Sequence, residues 1–466
     1  MNALRPSDPP PSRFTSTFTS TFTTSGFATS RFTWGVSTSA YQIEGAVKAG
    51  PSIWDLYSRL PGKIAGGDTG DIACDHYHRY REDVALMQKL GIGAYRFSVA
   101  WPRVMPEGRG AVNEAGLAFY DRLIDSLSAS GIEPWLCLYH WDLPQALQDS
   151  GGWANRDCAQ WFADYTDVIA RRYGDRVKRF ATFNEPSVFT LFGYCLGGQA
   201  PGIVDRAMLL RAIHPVNLGH GAAVDRLRAA VAGASLGAVH NCQPCRPATD
   251  KPEDRAASDM LDAYWNGAFP DPQLRGIYPP LLAEAMTPYV KPGDLAQICR
   301  PVDWFGLNHY SPHYVVASDR NPLGLWFGAA PADVPRSSMG WPVEPDAFRE
   351  ILTTMHKRYG LPIYVTENGT ANADKPQPDG EVPDEPHIAY LKAYTDAMFE
   401  AIADGVDVRG YFVWSLLDNF EWGSGYSQRF GLVYMDYPTL RRLPKDSFHW
   451  FADVIKAHAA STVPTD

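Results

Sequence analysis

The sequence predicts an α/β fold, a single (β/α)8 barrel with long βα loops, and three observations carry that prediction. From Arg31 onward, short β-rich runs alternate with segments of helical periodicity, the pattern of βα units that feed a parallel sheet. Eight such runs can be counted, and eight parallel strands close a barrel. No shift in composition inside 31–460 marks a linker, so this stretch of the 466-residue chain is read as one domain.

The runs, in order, are FTWGVSTSA (32 to 40), AYRFSVA (94 to 100), EPWLCLY (133 to 139), RFATFN (179 to 184), SLGAVHN (235 to 241), WFGLNHY (304 to 310), IYVTENG (363 to 369) and GYFVWSL (410 to 416). Most are rich in β-branched or aromatic residues, and all are too short for a typical helix. Between them lie HRYREDVALMQKLG and NEAGLAFYDRLIDSLSASG, with apolar residues at helical spacing. The second ends at Gly131, suited to a C-cap. The longest intervals, roughly 40 to 75 and 310 to 362, are rich in Gly, Pro and aromatics, as functional loops are.

The flanks read differently. Residues 1–30 contain a Pro cluster and a low-complexity Ser/Thr/Phe stretch, expected to be a disordered leader; 461–466 is a short tail. The leader has no continuous apolar core of the secretory kind, so a cytoplasmic protein is the first reading. Organelle import or secretion through this atypical leader are the alternatives.

A formal net charge of −10 disfavours nucleic acid or an anionic membrane as partner, since both need clustered Lys and Arg. No apolar run is long enough to span a bilayer. Aromatics make up 13% of the chain, which suits flat, hydroxyl-bearing ligands such as sugars. The seven Cys form an odd, scattered set, so no complete disulfide framework is expected. Cys242 and Cys245 make one CxxC, but neither a second pair nor a His pair follows at zinc spacing, so they are read as ordinary thiols. No metal and no cofactor are expected, and no oligomeric state is predicted.

Barrels of this kind put their chemistry at the C-terminal ends of the strands. That rule selects Gln42, Arg96, His140 with Trp141, Asn184 with Glu185, Asn308 with Tyr310, Glu367 and Trp414. Glu185 follows the fourth run and Glu367 lies at the end of the seventh, positions that face each other across the mouth of a closed ring. Two carboxyls flanking a sugar are what glycoside hydrolysis needs: one protonates the leaving oxygen, the other attacks or activates water. Glu185, between a neutral Asn184 and Pro186, suits the acid role once burial raises its pKa. Glu367 stays ionised if Arg96 and Tyr310 point at it, and then suits the nucleophile role. Either Glu alone is equally compatible with a helix start or a buried ion pair; the pairing at two strand ends makes the catalytic reading specific. Gly369 is expected to supply the turn out of the seventh strand, with Asn368 helping to set it.

These residues sit in motifs that resemble glycoside hydrolase family 1, the β-glucosidase family. The matches are SAYQIEG (39 to 45), YRFSVAWPR (95 to 103), YHWDLP (139 to 144), TFNEP (182 to 186), VTENG (365 to 369) and WSLLDNFEW (414 to 422). GYCLGGQAPG (193 to 202) and RFGLVYMDYPTLRRLPKDSFHWF (429 to 451) extend them, so that the likeness runs from about Arg31 to Phe451. The resemblance implies a retaining double displacement on a TIM barrel, with Glu185 as acid/base and Glu367 as nucleophile. Arg96 and Tyr310 would assist Glu367. It further implies that Gln42, His140, Asn184, Glu421 and Trp422 hydrogen-bond the nonreducing sugar and that Trp414 is the platform beneath its ring. Trp141, Asn308, Trp341 and Phe430 complete the binding set, Trp341 on the leaving-group side. Outside these motifs, a lone His or Trp would be read as core packing.

Family members that take 6-phosphorylated sugars typically carry a Ser, Lys and Tyr cluster after the last motif and lack the Glu. Here NFEWGSGYSQRFG keeps Glu421 and has no Lys before Arg429, so a neutral glycone is expected, glucose first, with galactose and fucose as further possibilities. The expected reaction is hydrolysis of terminal nonreducing β-D-glucosyl residues, and the expected substrate is a small β-glycoside, either an oligosaccharide or an aryl or alkyl glycoside. Three positions depart from the family pattern: Ser187, read as opening the leaving-group side, His309, and His387, read as a packing residue on an outer helix. Two other readings remain compatible with the same motifs, a transglycosidase and a sugar-binding barrel without catalysis.

Overall fold

The computed structural model describes residues 32–461. The leader over 1–30 lies outside the described residues. So does the tail over 461–466 except Ser461, which is the last residue of helix Asp446–Ser461.

Eight strands form a closed barrel: β1 (Thr33–Ser37), β2 (Ala94–Ser98), β3 (Glu133–Tyr139), β4 (Arg179–Asn184), β5 (Ser235–Asn241), β6 (Trp304–Asn308), β7 (Ile363–Asn368) and β8 (Val408–Trp414). Neighbours in sequence are neighbours in the ring, all parallel, and β1 closes on β8 with Thr33 opposite Gly410 and Ser37 opposite Trp414. Each strand overlaps its predicted run, but β1, β2 and β6 end two or three residues before theirs, β7 ends one residue before, and β8 is shifted two residues earlier. This is the expected (β/α)8 barrel.

The interior is packed by alternating large and absent side chains. Trp135, Trp304, Tyr364 and Phe412 fill it together with Ala94, Cys137, Ala181 and Val239. Glycine makes the room: a Cβ on Gly35 would lie 2.4 Å from the Phe412 ring, and one on Gly237 2.4 Å from Trp304. A second, larger core lies between the barrel and its surrounding helices. Helix Glu114–Ala129 shows how sequence spacing builds that layer, burying Leu117, Tyr120, Leu123, Ile124 and Leu127 on one face. It ends as predicted: Gly131 adopts φ +71°, and the Ile132 amide donates to the Leu127 carbonyl.

Two strands carry register irregularities that matter for function. β7 slips between Val365 and Glu367 against β6 and between Val365 and Asn368 against β8, and β4 slips between Ala181 and Asn184 against β5. Both fall at strand ends that carry candidate site residues, where a break in regular pairing re-aims a side chain.

The sequence reading placed no strands in the long loops. The structure adds a three-stranded sheet (Cys245–Pro247, His313–Ala317, Leu325–Phe327) and a hairpin (Val433–Asp436 with Arg441–Pro444). Strands this short leave almost no alternation to read. The hairpin is held to the barrel by buried charge pairs, Arg442 to Asp83 at 2.8 Å and the adjoining Lys445 to Asp374 and Asp418 at 2.6 and 2.9 Å. All seven cysteines are free thiols. No helix among the described residues is long and apolar enough to cross a membrane.

Candidate active site

Three site residues adopt a backbone conformation that side chains disfavour. Glu185 (φ +50°), Trp141 (φ +78°) and Trp422 (φ +46°) are all left-handed and none is glycine. Such strain persists only where surrounding contacts impose it, and it concentrates at functional sites. Glu185 sits between β4 and helix Pro186–Tyr194, and Trp141 follows the end of β3.

The two carboxylates are both buried, yet their surroundings differ in charge. Glu367 Oε1 accepts a hydrogen bond from the Arg96 guanidinium at 2.8 Å, and its Oε2 accepts one from the Tyr310 hydroxyl at 2.6 Å. Glu185 Oε1 accepts only from neutral amides, Asn241 at 2.8 Å and Asn308 at 2.7 Å. Burial, and then the negative charge of Glu367, push the Glu185 carboxyl up to about 8, with the two amides and Arg96 opposing. Burial raises Glu367 from the ordinary carboxylate range as well, but Arg96 and Tyr310 pull it back. Of the pair, Glu185 is therefore the one whose surroundings favour the proton, and Glu367 the one whose surroundings favour the charge.

A polar scaffold fixes both. Arg96 spends its second amino group on Asn184 Oδ1 at 2.6 Å, and Asn308 donates to the same oxygen at 3.1 Å. Thr366 Oγ1 donates to Asn308 Oδ1 at 2.7 Å, which fixes which way that carboxamide faces. Trp141 Nε1 donates to the Asn184 carbonyl at 2.9 Å. His140 is held neutral by burial and by the Arg96 charge; its Nε2 meets the Asn184 amide at 3.1 Å, and its Nδ1 has no partner among the described residues.

The carboxylates open into a cleft of about 590 Å³. Of the residues selected from sequence, Glu185, Glu367, Tyr310, His140, Trp141, Trp341, Trp414, Glu421, Trp422 and Phe430 line it. The His140 ring stacks on Trp414 at 5.7 Å and on Trp422 at 6.1 Å, so the inner end is walled by aromatic faces. Half-buried Glu421 faces the same space, and burial, then the charge of Glu367, push its carboxyl up to about 8. Gln42, Arg96, Asn184 and Asn308 stand one layer behind. Gln42 Nε2 donates to Asn419 Oδ1 and the Phe420 carbonyl, both at 2.9 Å, and lies 3.4 Å from Glu421 Oε2. In this geometry these four hold lining residues in place.

Several local expectations need correction. Gly369 does not have the positive φ of a glycine turn; it is required because a Cβ there would lie 1.9 Å from the Trp414 carbonyl oxygen. Asn368 belongs to β7 and ties strands together, donating to the His309 carbonyl at 2.7 Å and accepting from Tyr411 at 2.6 Å. Ser187 borders a small gap with Leu209, Ile213 and Tyr264 instead of the cleft, where Val188 and Phe192 stand. His309 is buried, with Nδ1 2.8 Å from the Cys242 carbonyl and its ring stacked on Phe348, a packing role. His387 is buried on its outer helix beside Asp384, as expected. Sequence reasoning missed Asn241, which ends β5 and holds Glu185; the strand-end rule, applied to that strand too, selects it.

Comparison with known proteins agrees with this geometry. The model of glycosyl hydrolase family 1 matches residues 25–460. The chain is 46% identical over 433 residues to β-glucosidase A of Thermotoga maritima, covering 91% of this chain and 97% of that protein. It is 43% identical to a bifunctional β-D-glucosidase/β-D-fucosidase of Bifidobacterium breve, covering 92% and 98%. Among solved structures, the Thermotoga maritima β-glucosidase in complex with glucoimidazole superposes with a TM-score of 0.87 at 44% identity, over 92% of this chain and 99% of that one.

Proposed function

The chain belongs to glycosyl hydrolase family 1, and we propose that Glu185 is the acid/base and Glu367 the nucleophile of its active centre. The protein is a retaining β-glucosidase that releases terminal, nonreducing β-D-glucosyl residues from a small-molecule glycoside. The observation that carries the residue assignment is the asymmetry of the two buried carboxylates, one held by a cation and a hydroxyl, the other by amides alone.

The chemistry follows from that asymmetry. Glu367 attacks the anomeric carbon while the Glu185 proton passes to the glycosidic oxygen, so one C–O bond forms as another breaks and the aglycone leaves neutral. In the resulting ester Glu367 carries no charge. The electrostatic contribution that raised Glu185 is then gone, its proton affinity drops, and it serves as base for the water that releases the sugar with the β configuration. Both bond-making steps use the two carboxylates alone, and we assign the reaction no metal and no cofactor.

The remaining assignments belong to the same reading. His140, Glu421 and Trp422 meet the sugar hydroxyls, with Gln42, Asn184 and Asn308 acting from just behind and Trp141 bracing Asn184. Trp414 and Phe430 supply ring faces, and Trp341 stands on the leaving-group side. Glu421 favours a neutral glycone over a phosphorylated one, and galactosides and fucosides are candidate secondary substrates. The catalytic domain is 31–460, between the leader and the tail; the protein acts in the cytoplasm, with neither nucleic acid nor membrane as partner.

The test is proton NMR of early turnover on a nitrophenyl β-D-glucoside. β-Glucose forming first, before mutarotation, is the expected result; α-glucose forming first would mean inversion and overturn the double displacement.

A further inference from the structure

Among the loops that follow β1, β2 and β3 lies a second, small cavity of about 20 Å³, which shares no lining residue with the cleft. Its charged lining comes from all three loops: Glu44, just after helix Ala40–Ile43, Asp55 in helix Ile53–Tyr57, Arg103 in helix Trp101–Val104, and Asp142, just past β3. Three carboxylates thus stand against one guanidinium. The backbone around them is zipped together. The Ile53 amide donates to the Leu143 carbonyl at 2.9 Å, and the Gln145 amide to the Pro51 carbonyl at 2.8 Å. The Gly50 amide donates to the Pro102 carbonyl at 2.8 Å.

The one cation in this lining is committed to other partners. Arg103 Nε donates to Glu44 Oε2 at 3.0 Å, and its two amino groups go to the carbonyls of Gly45 and Val47. The Tyr120 hydroxyl donates to the same Glu44 oxygen at 2.9 Å. Asp55 Oδ2 accepts from the Ser52 amide and hydroxyl, both at 2.7 Å. Asp142 has no such company. It is 1% exposed, and neither of its carboxylate oxygens has a hydrogen-bond partner on another described residue. Arg103 acts on it only through space, while the charges of Glu44 and Asp55 oppose its ionisation. A buried charge with neither counter-charge nor hydrogen bonds is a large cost to a fold. Protonation alone would not remove that cost, because a carboxylic acid still needs partners for its O–H and its carbonyl oxygen. A water would meet the oxygens but leave the charge.

We propose that this cavity binds one small monovalent cation, potassium or sodium, with Asp142 as its charged ligand, and that the ion clips the loop after β1 to the loop after β3. The volume admits about one water-sized guest. Magnesium keeps several of its waters and calcium gathers many oxygens, and a gap of this size has no room for either shell. No cluster of three ligating side chains among the described residues suits such a metal. A monovalent ion needs less: one carboxylate supplies the charge, and Glu44 and Asp55 lower the local potential. The ion takes no part in the sugar chemistry. The loops it joins carry Gln42 on one side and His140 with Trp141 on the other.

The test reads stability, which does not depend on the glycosidase mechanism. Thermal unfolding of the dialysed enzyme is measured in potassium, sodium and choline chloride at one ionic strength and pH, choline being too large for the cavity. The expected result is a Tm about 2–5 °C higher in potassium or sodium than in choline. In Asp142→Asn, which keeps the shape and removes the charge, that gap should close. Equal Tm values in all three salts, or a gap that Asp142→Asn retains, would overturn the proposal. Crystals of the unsubstituted enzyme grown in rubidium chloride give a check that needs no variant. An anomalous peak beside the Asp142 carboxylate supports the site, and a water with no anomalous signal there contradicts it.

Discussion

The Arg96 guanidinium lies 2.8 Å from Glu367 Oε1, a buried ion pair between β2 and the end of β7. The same cation reaches Asn184, so one side chain both holds the charge of Glu367, the proposed nucleophile, and orients the strand end that carries Glu185, the proposed acid. Arg96→Met should leave Glu367 charged and uncompensated, a loss of about 3–5 kcal/mol in stability. Without the cation the Glu367 pKa rises, so the acidic limb of the activity profile should move to higher pH. Thermal unfolding and a pH–rate profile check the two effects separately.

Glu185 must be protonated to act as acid, and its carboxyl is pushed up to about 8. Activity on unactivated β-glucosides should therefore fall as pH rises through about 8. Glu185→Gln should remove that alkaline limb and slow substrates with poor leaving groups by about 10²- to 10⁴-fold, because only those need the proton. Activated dinitrophenyl glucosides should be slowed far less in the step that forms the intermediate. Equal slowing of both classes would count against the acid role.

Glu421 lines the inner cleft, and the proposed reading has it meet O4 and O6 of the sugar. Glu421→Ala should lower kcat/KM on a β-glucoside by about 10- to 100-fold, the worth of one or two hydrogen bonds. The loss on a β-fucoside, which has no O6 hydroxyl, should be smaller. Kinetics on paired nitrophenyl glycosides measure the ratio.

His220 and His240 are buried beside the barrel, and burial lowers both to about 3. In the unfolded chain they take up protons near the ordinary histidine value of 6.5. Their contribution to stability is thus complete above pH 6.5 and is lost as pH falls toward 3. Urea midpoints should drop across that window, and His220→Gln should flatten the drop. A pH-independent midpoint would contradict the assignment.

Gly369 touches the Trp414 carbonyl, and a methyl group there must displace the end of β8. Gly369→Ala should cost about 1–3 kcal/mol of overpacking strain. It should also reduce activity, since Trp414 lines the cleft. Tryptophan fluorescence and kinetics together show whether the platform has moved.

Much of this molecule was legible because its signals are local. The eight strands announced themselves as β-branched and aromatic runs, and Glu185 and Glu367 stood out because strand ends are where a barrel keeps its chemistry. What escaped was long-range or conformational. The left-handed backbone at Trp141, Glu185 and Trp422 has no glycine to mark it, and the three-residue strand bearing Trp326 and Phe327 is too short to show a period. The reason for Gly369 is equally hidden, since a close contact with Trp414, 45 positions away, leaves no trace in its neighbours. Asn241 was within reach of the strand-end rule, but only Glu185 beside it gives that amide a role.

The most direct measurement is the mass-spectrometric mapping of enzyme inactivated by 2,4-dinitrophenyl 2-deoxy-2-fluoro-β-D-glucoside. One fluoroglucosyl group per chain is expected, on the peptide containing IYVTENGT and attached at Glu367. A label on any other residue, or no label from an enzyme that turns over the parent glucoside, would contradict it.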